Sequence, residues 1–108
     1  MAGYIYNDLK LDNLMVTLHD FKDGKTASDG NIFENVKVIL ADFGYSTRYM
    51  DKNSGKHKNK VKTKEFRGNI LFASQHQLNF RSTGRRDDLL SLFYLLVYML
   101  HGGSIPGI

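Results

Sequence analysis

Asn7-Asp8-Leu9-Lys10-Leu11-Asp12-Asn13 and, further along, Ala41-Asp42-Phe43-Gly44 are the stretches on which the chain turns. The first reads D-L-K-x-x-N and the second D-F-G. A lone D-F-G arises by chance; the ordered pair is far more specific, because each string predicts the other. The residue types form a coherent chemical set. Asp8 is a carboxylate suited to taking a proton from a hydroxyl, and general-base roles of this kind contribute about 10²–10⁴ in rate. Lys10, two residues on, offers a cation for charge that grows on a neighbouring group. Asn13 supplies a neutral oxygen and Asp42 an anionic one, both suited to a hard cation. Taken singly, each has a plainer reading: a turn aspartate, a solvated lysine, a turn asparagine, a strand-end cap.

The pair resembles the catalytic side of protein kinases. Three further strings narrow the resemblance to the casein kinase 1 family of Ser/Thr kinases. Arg85-Arg86-Asp87-Asp88-Leu89-Leu90-Ser91-Leu92 is similar to that family's S-R-R-D-D-L-x-S-L, with Gly84 in the first Ser position. Gly103-Ser104-Ile105-Pro106 resembles its G-x-L-P. Gly68 to Ser74, G-N-I-L-F-A-S, resembles its G-T-A-R-Y-A-S. The resemblance runs from about Tyr4 to Pro106. It implies an α+β, protein kinase-like fold: part of the mainly helical C-terminal lobe, with a β-hairpin at the catalytic cleft. Residues 1–108 would form one partial catalytic domain.

The implied activity is transfer of the ATP γ-phosphoryl group to a protein Ser or Thr hydroxyl. Asp8 would be the base, and Lys10 would contact the phosphate. Asn13 and Asp42 would hold Mg²⁺. Asp88 would accept hydrogen bonds from the catalytic-loop backbone. ATP, Mg²⁺ and a protein substrate are the implied partners. The alternative is a catalytically inactive, kinase-like interaction fragment.

The chain departs from the family in several places. Tyr6 stands where the catalytic-loop His is usual, and Asn7 where Arg is usual. That Arg normally meets a phosphate, so control by phosphorylation of the activation segment is not expected. Asn69 replaces a Thr. Leu71 replaces an Arg in a region that helps the family bind phosphate-bearing substrates. Phe93 replaces a Gly in the central helix. Neither a G-x-G-x-x-G loop nor a V-A-I-K-like strand occurs, so the 108 residues alone are expected to be inactive.

Composition is ordinary for a globular domain: 42% hydrophobic, 24% charged, net charge +4, pI near 9.4. Lys52, Lys56, Lys58, Lys60, Lys62 and Lys64 concentrate the excess charge in one polar stretch, 51–64. Without interleaved aromatics it reads as a solvated, mobile segment rather than a nucleic-acid interface. With no cysteine, disulfides and thiolate metal sites are excluded. The four histidines lack metal-ligand spacing. No signal peptide or membrane span is expected, which suits a cytoplasmic or nuclear protein.

The sequence predicts strands at 14–18 and 36–40, joined as a hairpin through an exposed insertion at 20–31. A short helix is expected over 74–78 and a long one over 86–101. The long helix carries Leu89, Leu90, Leu92, Phe93, Leu95, Leu96, Val97, Met99 and Leu100, so it is expected to be enclosed by protein, or to seek a partner or an oligomer.

Overall fold

In the computed structural model, which describes residues 3–18 and 36–107, the chain is α+β, with two small sheets and two helices. Strand β2 (Leu14–Leu18) pairs antiparallel with β3 (Val36–Leu40), in the register Leu14↔Leu40 to Leu18↔Val36. Both strands have the predicted bounds. β-Branched and aliphatic residues suit a pleated surface. The expected insertion at 20–31 lies outside the described residues.

A second pairing escaped the sequence reading. Strand β1 (Tyr4–Ile5) pairs antiparallel with β4 (Thr47–Arg48), setting Tyr4 opposite Arg48 and Ile5 opposite Thr47. Two-residue strands leave no periodicity to detect. The pairing encloses Ile5, which is wholly buried. It also brings the start of the chain against the segment after Gly44.

Stretch 51–64, expected to lack local order, is exposed but not featureless. Asp51 Oδ1 accepts hydrogen bonds from the backbone N–H groups of Asn53 and Ser54, both at 2.9 Å. Isolated bridges join Met50 to His57 and Lys62 to Arg81.

Helix α1 (Gln75–Leu78) is capped by Ser74, whose hydroxyl accepts from the Gln77 N–H. Helix α2 (Arg85–Leu100) starts and ends one residue earlier than predicted. The Asp87 carboxylate accepts the Gly84 N–H at 2.7 Å, closing the first turn. At the other end Gly102 adopts φ +67°, and Gly103 N–H returns to the Tyr98 carbonyl at 2.8 Å.

The expectation of an enclosed α2 is corrected in part. Asp87, Ser91 and Leu95 are buried, and Phe72 packs edge-to-face on Tyr98. The opposite side is open: Leu89, Leu92, Leu96 and Met99 are exposed, and Leu100 is 83% exposed. Phe93, which stands where the family has a Gly, is 59% exposed and meets Tyr94 edge-on. Within the described residues, no element covers this side.

One carboxylate fixes α2 to the residues that lead into D-L-K-x-x-N. Asp88 Oδ2 accepts the Tyr6 N–H at 2.7 Å, and Oδ1 accepts the Asn7 N–H at 2.9 Å. Burial raises the Asp88 pKa above the ordinary carboxylate range. The two N–H donors oppose that rise, and neighbouring Asp87 adds to it.

Two outcomes follow from these surfaces and this carboxylate. Burying a Leu or Phe side chain stabilises by about 1.5–3 kcal/mol, so the open side of α2 drives association. The chain is expected to scatter light as an oligomer at micromolar concentration. A monodisperse monomer with a sharp melt would contradict this. For Asp88, the folded state holds the proton more tightly than the unfolded chain. Its contribution is therefore complete below the unfolded value and lost as pH rises through the folded one. Denaturant melts of wild type and Asp88→Asn at about pH 7 and about pH 4 should show the difference shifting toward wild type at the lower pH. A shift toward the variant would refute the sign.

Candidate active site

Asp8 is 2% exposed. A carboxylate so far from water needs hydrogen-bond donors, and two amides provide them. Asn13 Nδ2 donates to Asp8 Oδ2 at 2.9 Å and to the Asp8 backbone carbonyl at 2.9 Å. Asn69 Nδ2 donates to Asp8 Oδ1 at 3.2 Å and to the Leu9 carbonyl at 3.0 Å. Asn69 Oδ1 in turn accepts the Phe72 N–H at 2.9 Å. The amide at 69 thus orients the carboxylate while closing its own turn.

Asn13 reaches Asp8 because residues 11–13 form a single 3₁₀ turn between the catalytic string and β2. With its nitrogen committed to Asp8, the amide oxygen is the atom Asn13 has left to offer a cation. The Ala41 N–H donates to the Asn13 carbonyl at 2.8 Å, which brings the D-F-G string alongside. Asp42 follows directly, exposed and in the left-handed region at φ +58°. Its Oδ1 accepts the Gly44 N–H at 3.2 Å. Three of the predicted residues, Asp8, Asn13 and Asp42, are thereby gathered at the junction of the two strings.

Lys10 is half-buried and stands apart from this network. It lines a cavity of about 220 Å³ with Asp12, Asn69, Leu71, Phe72 and Tyr98.

The residues preceding Asp8 connect the site to its surroundings. The Tyr6 hydroxyl donates to the Ala41 carbonyl, and its ring meets Phe43 edge-on at 5.5 Å. Burial raises the Tyr6 pKa, reinforced by the Asp8 carboxylate, so the hydroxyl remains a donor. Asn7 is buried at φ +71°, a region that Asn tolerates better than most residues. Its carbonyl accepts from Gln77 Nε2 at 2.7 Å. Gly68 is required here: a Cβ would lie 2.3 Å from the Asn7 carbonyl oxygen and 2.4 Å from Gln77 Nε2.

A larger cavity, about 520 Å³, opens on the other side of Asn7 and Gln77. Arg48, Lys58, Lys60, Lys64, Arg67 and Arg81 line it, against the single carboxylate of Glu65. Sequence reading treated the lysine stretch as a solvated segment and missed this concavity. The cations come from three separate stretches, 48, 58–67 and 81, so only the tertiary fold collects them. Arg85 and Arg86 make contacts within the fold, and their partners are neutral or titratable. Arg85 stacks over Tyr49 at 5.0 Å and approaches His57, while Arg86 meets His76.

Gln77 and Thr83 were not singled out from the sequence. Both contact Asn7 from 70 or more positions away, and nothing local marks them. Among the described residues, no cluster of three or more His, Cys, Asp or Glu forms a metal centre, and no helix is long and apolar enough to cross a membrane.

No protein-family model matches the chain. Curated proteins do. The chain is 32% identical over 101 residues to casein kinase 1-like protein HD16 of Oryza sativa, a match covering 93% of the chain and 13% of that protein. It is 32% identical over 103 residues to casein kinase I homolog 3 of Schizosaccharomyces pombe, covering 95% of the chain and 21% of the relative. With casein kinase I homolog 3 of Saccharomyces cerevisiae it shares 32% over 108 residues, covering 94% and 20%. The chain therefore spans about a fifth or less of each of these relatives, and over nearly its own whole length it is similar to casein kinase 1-like proteins.

Proposed function

We propose that this chain is the catalytic-loop segment of a Ser/Thr protein kinase, with a kinase-like fold, and that residues 1–108 form part of one catalytic domain. The observation that carries the reading is that Asn13 holds the buried Asp8 carboxylate while its backbone carbonyl accepts the N–H of Ala41, the neighbour of Asp42. The family-like spacing of these residues and the casein kinase relatives support it.

In this reading the substrate Ser or Thr hydroxyl lies against Asp8. Asn13 and Asn69 hold both carboxylate oxygens, so the base meets the hydroxyl in a fixed orientation and takes its proton as the bond to phosphorus forms. Lys10 approaches the transferring phosphoryl from the other side of the string and offsets its negative charge. The Asn13 amide oxygen and the Asp42 carboxylate are hard oxygen donors, and two such groups suit an ion that takes its remaining ligands from phosphates and water. Bound there, Mg²⁺ would neutralise phosphate charge on ATP.

The protein substrate is read as acidic or phosphorylated near its acceptor residue. The family's Arg at position 71 is replaced by Leu, but six other cations line the 520 Å³ cavity. The absence of cysteine fits a cytoplasmic or nuclear setting.

The alternative, a non-catalytic interaction fragment, draws on one observation: the open apolar side of α2. The two readings separate by experiment. The 108-residue chain alone, lacking a glycine-rich phosphate loop, should transfer no phosphate from ATP to casein. Residues 4–106 placed in a casein kinase 1-like relative, in exchange for its own segment, should support transfer. In that chimera Asp8→Ala and Asp42→Asn should each reduce the rate by about 10²-fold or more. Transfer unaffected by both substitutions would overturn the assignment.

A further inference from the structure

We propose that Asn7 is a positioning residue that, with Tyr6, clamps residues 41–47 at two points and thereby sets Asp42 relative to Asp8. The inference rests on the kinase reading for its function, but its geometry stands apart from it. Asn7 is 5% exposed, and its side chain bridges three segments. Nδ2 donates to the Tyr45 carbonyl at 2.7 Å and to Thr47 Oγ1 at 3.0 Å, while Oδ1 accepts from the Thr83 hydroxyl. Its backbone is fixed independently, by Asp88 on the N–H and Gln77 on the carbonyl.

The Tyr6 hydroxyl grips Ala41, immediately before Asp42. The Asn7 amide grips Tyr45 and Thr47, immediately after Phe43-Gly44. Among the described residues, the Asp42 side chain makes only a 3.2 Å bond from Gly44 inside its own turn. Its position is therefore inherited from these flanking anchors. Among the described residues, the partners of the Asn7 side chain are all neutral. The anchor needs no phosphate to hold the segment after Gly44, although the cationic cavity lies alongside.

Asn7→Gly tests this with little backbone penalty, because glycine accepts positive φ. Asn7→Asp keeps the side chain's shape and replaces the donor with an acceptor, and Tyr6→Phe removes only the hydroxyl. Hydrogen exchange of the 108-residue chain, read by mass spectrometry, should accelerate by about tenfold in peptides covering 45–49 for either Asn7 variant, with α2 peptides changing by less than about twofold. No acceleration, or equal acceleration in α2, would overturn the proposal.

A second arm uses the chimera. There Asn7→Gly should raise the Mg²⁺ concentration for half-maximal rate by about tenfold, with the peptide KM within about twofold. A loss of rate with no change in Mg²⁺ requirement would also overturn it. Exchange is read without ATP, so its failure would leave Asp8-dependent transfer intact, and failure of transfer would leave the clamp intact.

Discussion

The Asp8 carboxylate is the group around which the remaining geometry is arranged. Burying it to 2% exposure is costly unless both oxygens receive hydrogen bonds. That requirement commits Asn13 and Asn69 to their present places. Asn69 can approach only because residue 68 lacks a Cβ, since a side chain there would collide with the Asn7 carbonyl and Gln77. Asn7 in turn needs Asp88 on α2 and Gln77 on α1. A chain of obligatory polar contacts therefore runs from the carboxylate to both helices. The two short sheets matter less for their own stability than for delivering these groups to one place.

Much of this was legible in the sequence because the informative residues sit close together along it. D-L-K-x-x-N and D-F-G mark the candidate residues, and β-branched runs mark β2 and β3 at their observed bounds. The Ser74 hydroxyl caps α1, and the Gly102-Gly103 stop closes α2. Asp88 bonds the backbone at Tyr6 and Asn7, the contact implied by the family resemblance. What escaped was non-local. β1 and β4 are too short to show alternation. Gln77 and Thr83 look unremarkable until the fold brings them to Asn7. The cationic cavity collects side chains spread over residues 48–81.

The long helix shows how composition misleads about burial. An apolar count on α2 predicts enclosure, yet only part of its circumference is covered. The same incompleteness marks the hairpin, where Met15, Val16, Val38 and Ile39 are exposed. Exposed apolar area on this scale belongs to surfaces that pack against something. The chain spans about a fifth or less of the relatives it matches. Polar satisfaction is concentrated at the site and apolar coverage is lacking at the periphery, so the site's local geometry depends more on hydrogen bonds than on a large core.

If Asn13 and Asp42, distant in sequence, serve one cation beside Asp8, paramagnetic broadening by Mn²⁺ in a two-dimensional amide spectrum reads it directly. Resonances of Asn13, Asp42 and Gly44 should broaden together at the lowest metal concentrations, and Asp42→Asn should abolish the effect at all three. Broadening that begins at exposed carboxylates such as Asp51, or that reaches Asp42 without Asn13, would contradict it.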